Sequence, residues 1–468
     1  MTTQPIALTP ELRDRTAAAV GDTRLGAALA NAADTFEQRR AVASAAFVDP
    51  DAVKRAARAI RAEVLARLPQ LLGELADNVL AAGGHVCWAA TAEDARAYVL
   101  DVATRRGATK IVKGKSMLSE EIELNPALEA AGIEVTETDL GEWIIQVANE
   151  TPSHIIVPAI HRDRGQIRDA LVQVADGDLS DVPEELAAFA RGQLRAKFLA
   201  ADIGVTGVNF GVAATGTCVL VTNEGNGRLC SSVPPVHIAL MGAERVVADW
   251  DQLDVLLSLL PRSATGQAVT TYVSAMTGPR RAGERDGPDE FHLVIVDNGR
   301  SKIAASEFSE MLSCIRCGAC LNVCPVYRQV GGHAYGWVYS GPMGAVLTPL
   351  LADDEHSSAS ELADASSLCG ACWEACPVGI PLQDLLLAQR RRNAEHSRPS
   401  EKAAWQAWAA VWSRTGTYWA SLRAGTMSQR FLGERLGRMP GARNWATGRA
   451  LPHAAEVSFR DAWRQGRR

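Results

Sequence analysis

The sequence predicts an α/β domain followed by an α-helical, cysteine-rich domain and a helical C-terminal tail. Three observations predict it. Short β-rich runs alternate with helical stretches from about residue 79 to 299, seven of the ten cysteines crowd into residues 314 to 376, and residues 390 to 468 carry sixteen basic against five acidic side chains. At 468 residues and 47% hydrophobic, the chain has apolar material for more than one core. A net charge of −6 does not fit a chain built to cover nucleic acid, so no nucleic-acid partner is expected. The opening MTTQPIALTPELRDR lacks the basic start and apolar run of a secretory leader. No stretch reaches eighteen uninterrupted apolar residues, so the expectation is a cytoplasmic protein without a membrane span.

From residue 1 to 78 the chain is rich in Ala, Arg, Glu and Leu at helical spacing, as in AVKRAARAIRAEVLARLPQLLGELADNVL, and reads as a helical segment belonging with the α/β region. The α/β domain proper spans 79 to 299. Its β-rich runs are HVCWAA, KIVKGK, IEVTETD, HIIVPA, IGVTGVNFGVAATGTCVLVTNEG, HIALMGAERVVAD, AVTTYVSAM and FHLVIVDN, interleaved with helical stretches such as AEDARAYVLDVATRRG. That alternation predicts a mostly parallel sheet covered by helices. GPRRAGERDGP, at 278 to 288, has the composition of an exposed loop. Residues 300 to 389 form the cysteine-rich helical domain, and 390 to 468 the basic tail, whose net +11 leaves −17 on the first 389 residues.

The first cysteine run, Cys314, Cys317, Cys320, Cys324 and then Pro325, has the spacing C-x2-C-x2-C-x3-C-P. Three close thiolates suit three irons of one cubane, and the fourth, followed by proline, ligates the neighbouring cluster. The second run, Cys369, Cys372, Cys376 and Pro377, repeats the end of the same pattern. Cross-pairing assigns Cys314, Cys317, Cys320 and Cys376 to cluster 1, and Cys324, Cys369 and Cys372 to cluster 2. The position three before Cys369 is Ser366, so cluster 2 lacks one thiolate. An oxygen from Ser366 or Ser367, a [4Fe-4S] cluster with solvent or a partner's group on one iron, and a [3Fe-4S] cluster are the three outcomes; the ligand count favours two [4Fe-4S] clusters, the second with a non-cysteine fourth site. Zinc is the alternative metal, but its ribbons use C-x2-C pairs on longer loops without the C-P ending.

Paired clusters of this kind relay electrons. Nothing in the sequence supplies two-electron chemistry. The nearest dinucleotide fingerprint, Gly225 and Gly227, fails at Cys230, and Gly114, Lys115, Ser116 is no P-loop because Thr109 stands where its first glycine belongs.

The segments KGKSMLSEEIELN, GIEVTETDLGEWIIQ, PSHIIVPAIHR and GVNFGVAATGTCVLVTNEGNGR resemble the LUD domain. Together with the cysteine runs and the Trp/Arg-rich tail, nearly the whole chain resembles the lactate-utilisation protein B family. That resemblance implies an α/β sheet similar to the ribose-isomerase and CoA-transferase group, two [4Fe-4S] clusters on the same seven cysteines, and action with lactate-utilisation proteins A and C and an unidentified electron acceptor in oxidising L-lactate to pyruvate. Two alternatives stay open: a relay for another 2-hydroxy acid such as glycolate, and a redox-sensing, transferase-like LUD protein.

The smaller signals read more simply. Gly211, Thr215, Gly216 and Thr217, with Asn223, Asn226 and Arg228, suit an anion-binding loop, although tight turns explain the glycines as well. Lys113, Lys115 and Ser116 read as a surface loop, His154 and His161 as satisfied histidines rather than a metal pair, and Cys87, Cys218 and Cys230 as buried free thiols. Trp405, Trp408 and Trp412 fall on one helical face, with Trp419 seven residues on. That stripe either packs on the cluster domain, docks an acidic partner or lies on a membrane surface.

Overall fold

The computed structural model describes residues 8, 10–352, 358–396, 399–433, 435, 453, 455 and 457–466. Residues 1–7 of the opening run and 436–452 of the tail lie outside the described residues. The chain divides into two units, Met1–Asn393 and Ala394–Arg468.

In the first unit the β-rich runs become β1 (His85–Ala89), β2 (Lys110–Lys113), β3 (Glu134–Glu137), β4 (Ile203–Gly207), β5 (Phe210–Val212), β6 (Thr217–Thr222), β7 (Val236–Gly242), β8 (Val246–Val247), β9 (Tyr272–Met276) and β10 (Glu290–Val296). Six of them form an all-parallel sheet in the order β1-β10-β7-β4-β2-β3. The central strands read as continuous apolar runs because both faces are covered. In β10, Val294 and Val296 join the core under the helix Ala92–Arg106, while Phe291, Leu293 and Ile295 face the helix Leu68–Ala81. The order jumps along the sheet, which requires crossover connections. The helix Ala92–Arg106 makes one of them, closed by a Thr91/Asp94 capping box at its start and a left-handed Gly107 at its end.

Two features differ from the sequence expectation. First, β5, β6, β8 and β9 leave the parallel sheet and form a second one, β8-β5-β6-β9, whose β5/β6 and β6/β9 pairings are antiparallel. The turn Ala213–Thr215 ends on Gly216 at φ +65°, reversing the chain at once. A Cβ on Gly216 would stand 2.6 Å from the Asn78 carbonyl carbon, so packing as well as the turn requires glycine there. Second, HIIVPA is no strand. His154 Nδ1 accepts from the backbone N–H of Ile156 (3.0 Å) and Val157 (3.2 Å), taking donors that a ladder needs, and Pro158 has none to offer.

The N-terminal helices α1 (Leu12–Gly21), α2 (Thr23–Ala45) and α3 (Pro50–Ala66) pack on the cysteine-rich region, and α2 and α3 also on the helix Trp250–Ala264. Arg61 of α3, fully buried, donates to the carbonyls of Glu244, Val246 and Leu312, bracing the α/β part against the cysteine-rich part. Residues 300–389 hold short helices around a core of Tyr327, Tyr335, Tyr339, Met343 and Leu347.

In the second unit the helices Pro399–Trp412 and Thr415–Leu432 carry a chain of ring contacts. Trp408 stands 5.8 Å from Trp405 and 5.2 Å from Trp412, and Tyr418 touches both Trp412 and Trp419. Among the described residues no helix is long and apolar enough to cross a membrane.

Candidate metal centre and adjoining cavity

Both cysteine runs fold the same way locally. Arg316 (φ +58°) and Gly318 (φ +76°) flank Cys317 before the short helix Ala319–Asn322. Leu368 (φ +55°) and Gly370 (φ +83°) flank Cys369 before the helix Ala371–Ala375. Each pair of left-handed residues coils the chain tightly enough to aim successive sulfurs to one side. The equivalence reaches one residue further back. The Arg316 N–H donates to Cys314 Sγ at 3.4 Å, and the Leu368 N–H donates to Ser366 Oγ at 3.1 Å.

Cys314, Cys317, Cys320 and Cys376 line one small cavity, walled otherwise by apolar groups including Ile155, Ile315, Met343 and Val378. Burial pushes the Cys317 and Cys320 thiols up, and Cys376 and Cys314 add to it. Cys376 is pushed up to about 11, by burial first and then by Cys314. Cys372 also reaches about 11, by burial and by the nearby Cys324 and Cys369. The electrostatic neighbours thus fall into the sets Cys314/Cys317/Cys320/Cys376 and Cys324/Cys369/Cys372, and Cys372 acts on Cys320 across them.

The donor set suits an iron–sulfur cluster. Further N–H groups point at sulfur, Tyr327 at Cys324 (3.5 Å) and Ile380 at Cys376 (3.4 Å), as needed to stabilise sulfur that carries negative charge. Among the described residues no three His, Cys, Asp or Glu side chains close on a single ion. The first thiol set stands around a cavity, an arrangement suited to ligands that each bind a different metal atom. Ser366 lies at the start of the second run, its carbonyl held by Arg390 Nη2 at 2.6 Å. Ser367 makes no contact that distinguishes it.

Beside the first thiol set lies a second cavity, of about 450 Å³, at the carboxyl ends of β2, β4 and β7. That edge is where open parallel sheets place ligands, because the strands' ends and following loops leave a crevice there. Gly242 ends β7 against the Glu244 carboxylate, which a Cβ would approach to 2.5 Å. Glu244 accepts from Arg300 Nε (2.6 Å) and Arg316 Nη2 (3.3 Å). Arg300 also forms a bidentate pair with Glu121, at 2.8 Å through each oxygen, and the Tyr339 hydroxyl donates to the same carboxylate at 2.5 Å. Burial alone would raise Glu244, but Arg300, Arg316 and Arg245 hold it at about 2. Arg245 Nη1 donates to the Cys314 carbonyl (2.7 Å) and its guanidinium lies over Phe210, 4.9 Å from the ring centre.

The smaller candidates separate in space. Lys113 is not in a surface loop: it is fully buried at the end of β2, bound to Glu120 and Glu137 (2.8 Å each) and to Ser119 (2.7 Å). Burial would lower it, but the surrounding glutamates raise it above the usual lysine range. Ser116 is buried too, capping the helix Met117–Glu121, and half-buried Lys115 donates to the Ile156 carbonyl. Strand β2 carries these residues inward, and acidic partners from later in the chain pay the desolvation of Lys113. Of the seven anion-loop candidates, Asn223 and Asn226 line the 450 Å³ cavity. Gly211 packs on Leu75 and Met241, Gly216 on α/β-covering Asn78, and Thr217 bonds Thr215 and Thr277, while Arg228 is exposed. His154 pairs with Asn322 and His161 with Glu150, so the two do not form a site. Cys218 and Cys230 are buried free thiols and Cys87 is half-buried. Sequence reasoning passed over Glu121, Glu244, Arg245, Arg300 and Arg316. The signal for two of them was a Glu-Arg pair inside the apolar run HIALMGAERVVAD.

Comparison with known proteins bears on both regions. The LUD domain matches residues 72–296, and the 4Fe-4S dicluster domain matches 310–380. Lactate utilization protein B of Bacillus subtilis is 46% identical over 463 residues, covering 97% of this chain and 96% of its own. Lactate utilization protein B of Shouchella clausii is 49% identical over 415 residues, 86% of each chain. A crystal structure of a DUF162 family protein from Deinococcus radiodurans matches at 15% identity, 49% of this chain and 98% of that one, with a TM-score of 0.26.

Proposed function

We propose that this chain, which belongs to the lactate utilization protein B family, is the electron-transfer subunit of a complex oxidising L-lactate to pyruvate in the cytoplasm. A role in lactate utilization and an iron–sulfur domain come with the family; the relay, its two clusters and its partners are our reading. What supports it is that Cys376 of the second run lines the same small cavity as Cys314, Cys317 and Cys320 of the first.

Cys314, Cys317, Cys320 and Cys376 hold one [4Fe-4S] cluster. Cys324, Cys369 and Cys372 hold the other, with Ser366 Oγ as its fourth, non-cysteine ligand. Bound clusters supply one-electron steps with little ligand movement. Around the first set Ile315, Met343 and Val378 exclude water, and the backbone N–H groups of Arg316 and Ile380 steady the sulfurs. Cys369 is exposed and so is the ring of Trp373, which makes the second set the one open to a partner. The partners are lactate-utilisation proteins A and C and an electron acceptor.

The test combines anaerobically purified protein with proteins A and C and a dye acceptor. L-Lactate should reduce the dye only when all three are present. Faster reduction by glycolate would move the substrate assignment, and unchanged reduction with the cluster-free chain would overturn the relay.

A further inference from the structure

We propose that the guanidinium groups of Arg61, Arg245 and Arg316 raise the reduction potential of the cluster held by Cys314, Cys317, Cys320 and Cys376, keeping a dry thiol set reducible. The inference rests on the cluster assignment of the relay and names what sets the potential of its first site.

All three arginines are built onto the loop that carries Cys314. Arg61 Nη2 donates to the Leu312 carbonyl at 3.0 Å, Arg245 Nη1 to the Cys314 carbonyl at 2.7 Å, and Arg245 Nη2 to the Ile315 carbonyl at 3.4 Å. Arg316 directly precedes Cys317, and its Nη1 stands 3.0 Å from the sulfur of Met343, which lines the same small cavity as the thiols. Arg61 is 1% exposed and Arg245 5%, so solvent screens neither. Burial lowers both to about 10, against the pull of Glu244 and Cys314, and both stay charged at neutral pH.

The carboxylates nearby do not cancel these charges. Glu244 serves Arg316 at 3.3 Å and Arg300 at 2.6 Å, and Glu121 is taken up by Arg300 as well. Four arginines thus meet two buried carboxylates beside the first set. Asp139 and Glu224 line the neighbouring cavity but contact Lys115 (3.6 Å) and the Leu140 N–H (3.3 Å). Glu310, on the turn before Cys314, pairs with Arg58 at 2.9 Å in solvent.

Two effects oppose each other at this set. Reduction adds one electron, taken from a reduced partner protein, and forms or breaks no bond, so the site gains one negative charge. The apolar wall of Ile315, Met343 and Val378 disfavours that charge. The guanidinium groups favour it, and at an effective dielectric of about 20 a unit charge about 10 Å away still changes an equilibrium about tenfold or more. The second set lacks this field. Its loop is held by Arg390, which donates to the carbonyls of Ala363 (2.9 Å) and Ser366 (2.6 Å), but that side chain is 27% exposed and lies 3.5 Å from Asp364. A paired charge open to water acts weakly.

The experiment is a dithionite titration of the oxygen-protected, cluster-loaded full-length chain, followed by EPR, with Cys317→Ser identifying the signal of the first set. Arg245→Gln and Arg316→Gln should each make that cluster about tenfold harder to reduce, a midpoint lower by about 59 mV for one electron, and leave the other midpoint in place. Glu244→Gln should move the first midpoint upward. Arg245→Lys keeps the charge and should stay near the wild type, a distinction that mere bracing of the loop would not produce. Unmoved midpoints in both arginine-to-glutamine variants, equal shifts of both clusters, a downward shift in Glu244→Gln, a fall in Arg245→Lys as large as in Arg245→Gln, or loss of the first cluster from every glutamine variant would overturn the inference and leave the relay standing. A wild-type chain with no reducible cluster would remove the relay and this inference together.

Discussion

Ser366 holds in the second cysteine run the place that Cys314 holds in the first: each accepts the N–H of the residue two further on, at 3.1 Å and 3.4 Å, and that residue is left-handed and stands directly before the next cysteine. A serine oxygen is harder and binds iron less strongly than a thiolate. That single atom separates the two halves of an otherwise repeated motif.

Replacing Cys317 with Ser should therefore cost about half of the iron and sulfide. Ser366→Ala should be milder, losing about one iron per chain and bringing up the EPR signal of an oxidised three-iron centre. Ser366→Cys should suppress that signal. Iron analysis and EPR on oxygen-protected protein read all three. Full iron content in Cys317→Ser would refute the ligand assignment.

Glu121 has no exposed surface to lose its charge to, and it accepts from Arg300, Asn298 and Tyr339. Glu121→Ala leaves Arg300 with one carboxylate fewer in a dry site, so urea unfolding should show a loss of about 3–5 kcal/mol. Arg58→Ala breaks an exposed pair with Glu310 and should cost less than about 1 kcal/mol. Equal losses would show that burial does not govern these pairs.

His237 sits in β7, its Nε2 against Thr206 Oγ1 at 2.8 Å, and burial together with His292 lowers it to about 3. Between about pH 6.5 and 3 the unfolded chain takes up a proton that the folded imidazole refuses. This contribution to stability is therefore complete above pH 6.5 and is lost as the pH falls toward 3, at about 1.4 kcal/mol per unit. From pH 7 to 5 the wild type should lose about 2 kcal/mol from this group, and His237→Gln should lose correspondingly less in urea unfolding. Parallel curves for the two proteins would contradict it.

The cysteine motif was legible because its information is local: spacing of three residues, a left-handed turn and a terminal proline act within a dozen positions. The apolar runs of β4, β7 and β10 were legible for a similar reason, since a strand buried on both faces has no polar alternation to disguise it. HIIVPA carries the same apolar signal, and only the folding of its backbone around His154 separates it from a strand. Likewise β5 and β6 look like their neighbours in composition, and a close approach to Asn78 at Gly216 accompanies their turn out of the parallel sheet.

By itself, then, the sequence determined the order of α/β, cysteine-rich and basic segments, the spacing of the seven cysteines and the serine at position 366 where the repeated pattern has Cys314. Tertiary structure alone decided that Lys113 is buried among Glu120 and Glu137, and that Glu121, Glu244, Arg245, Arg300 and Arg316 meet at one edge of the sheet. Those residues are up to 195 positions apart. Their charges are bearable only as a group, because each one's desolvation is offset by partners that nothing in its own neighbourhood announces.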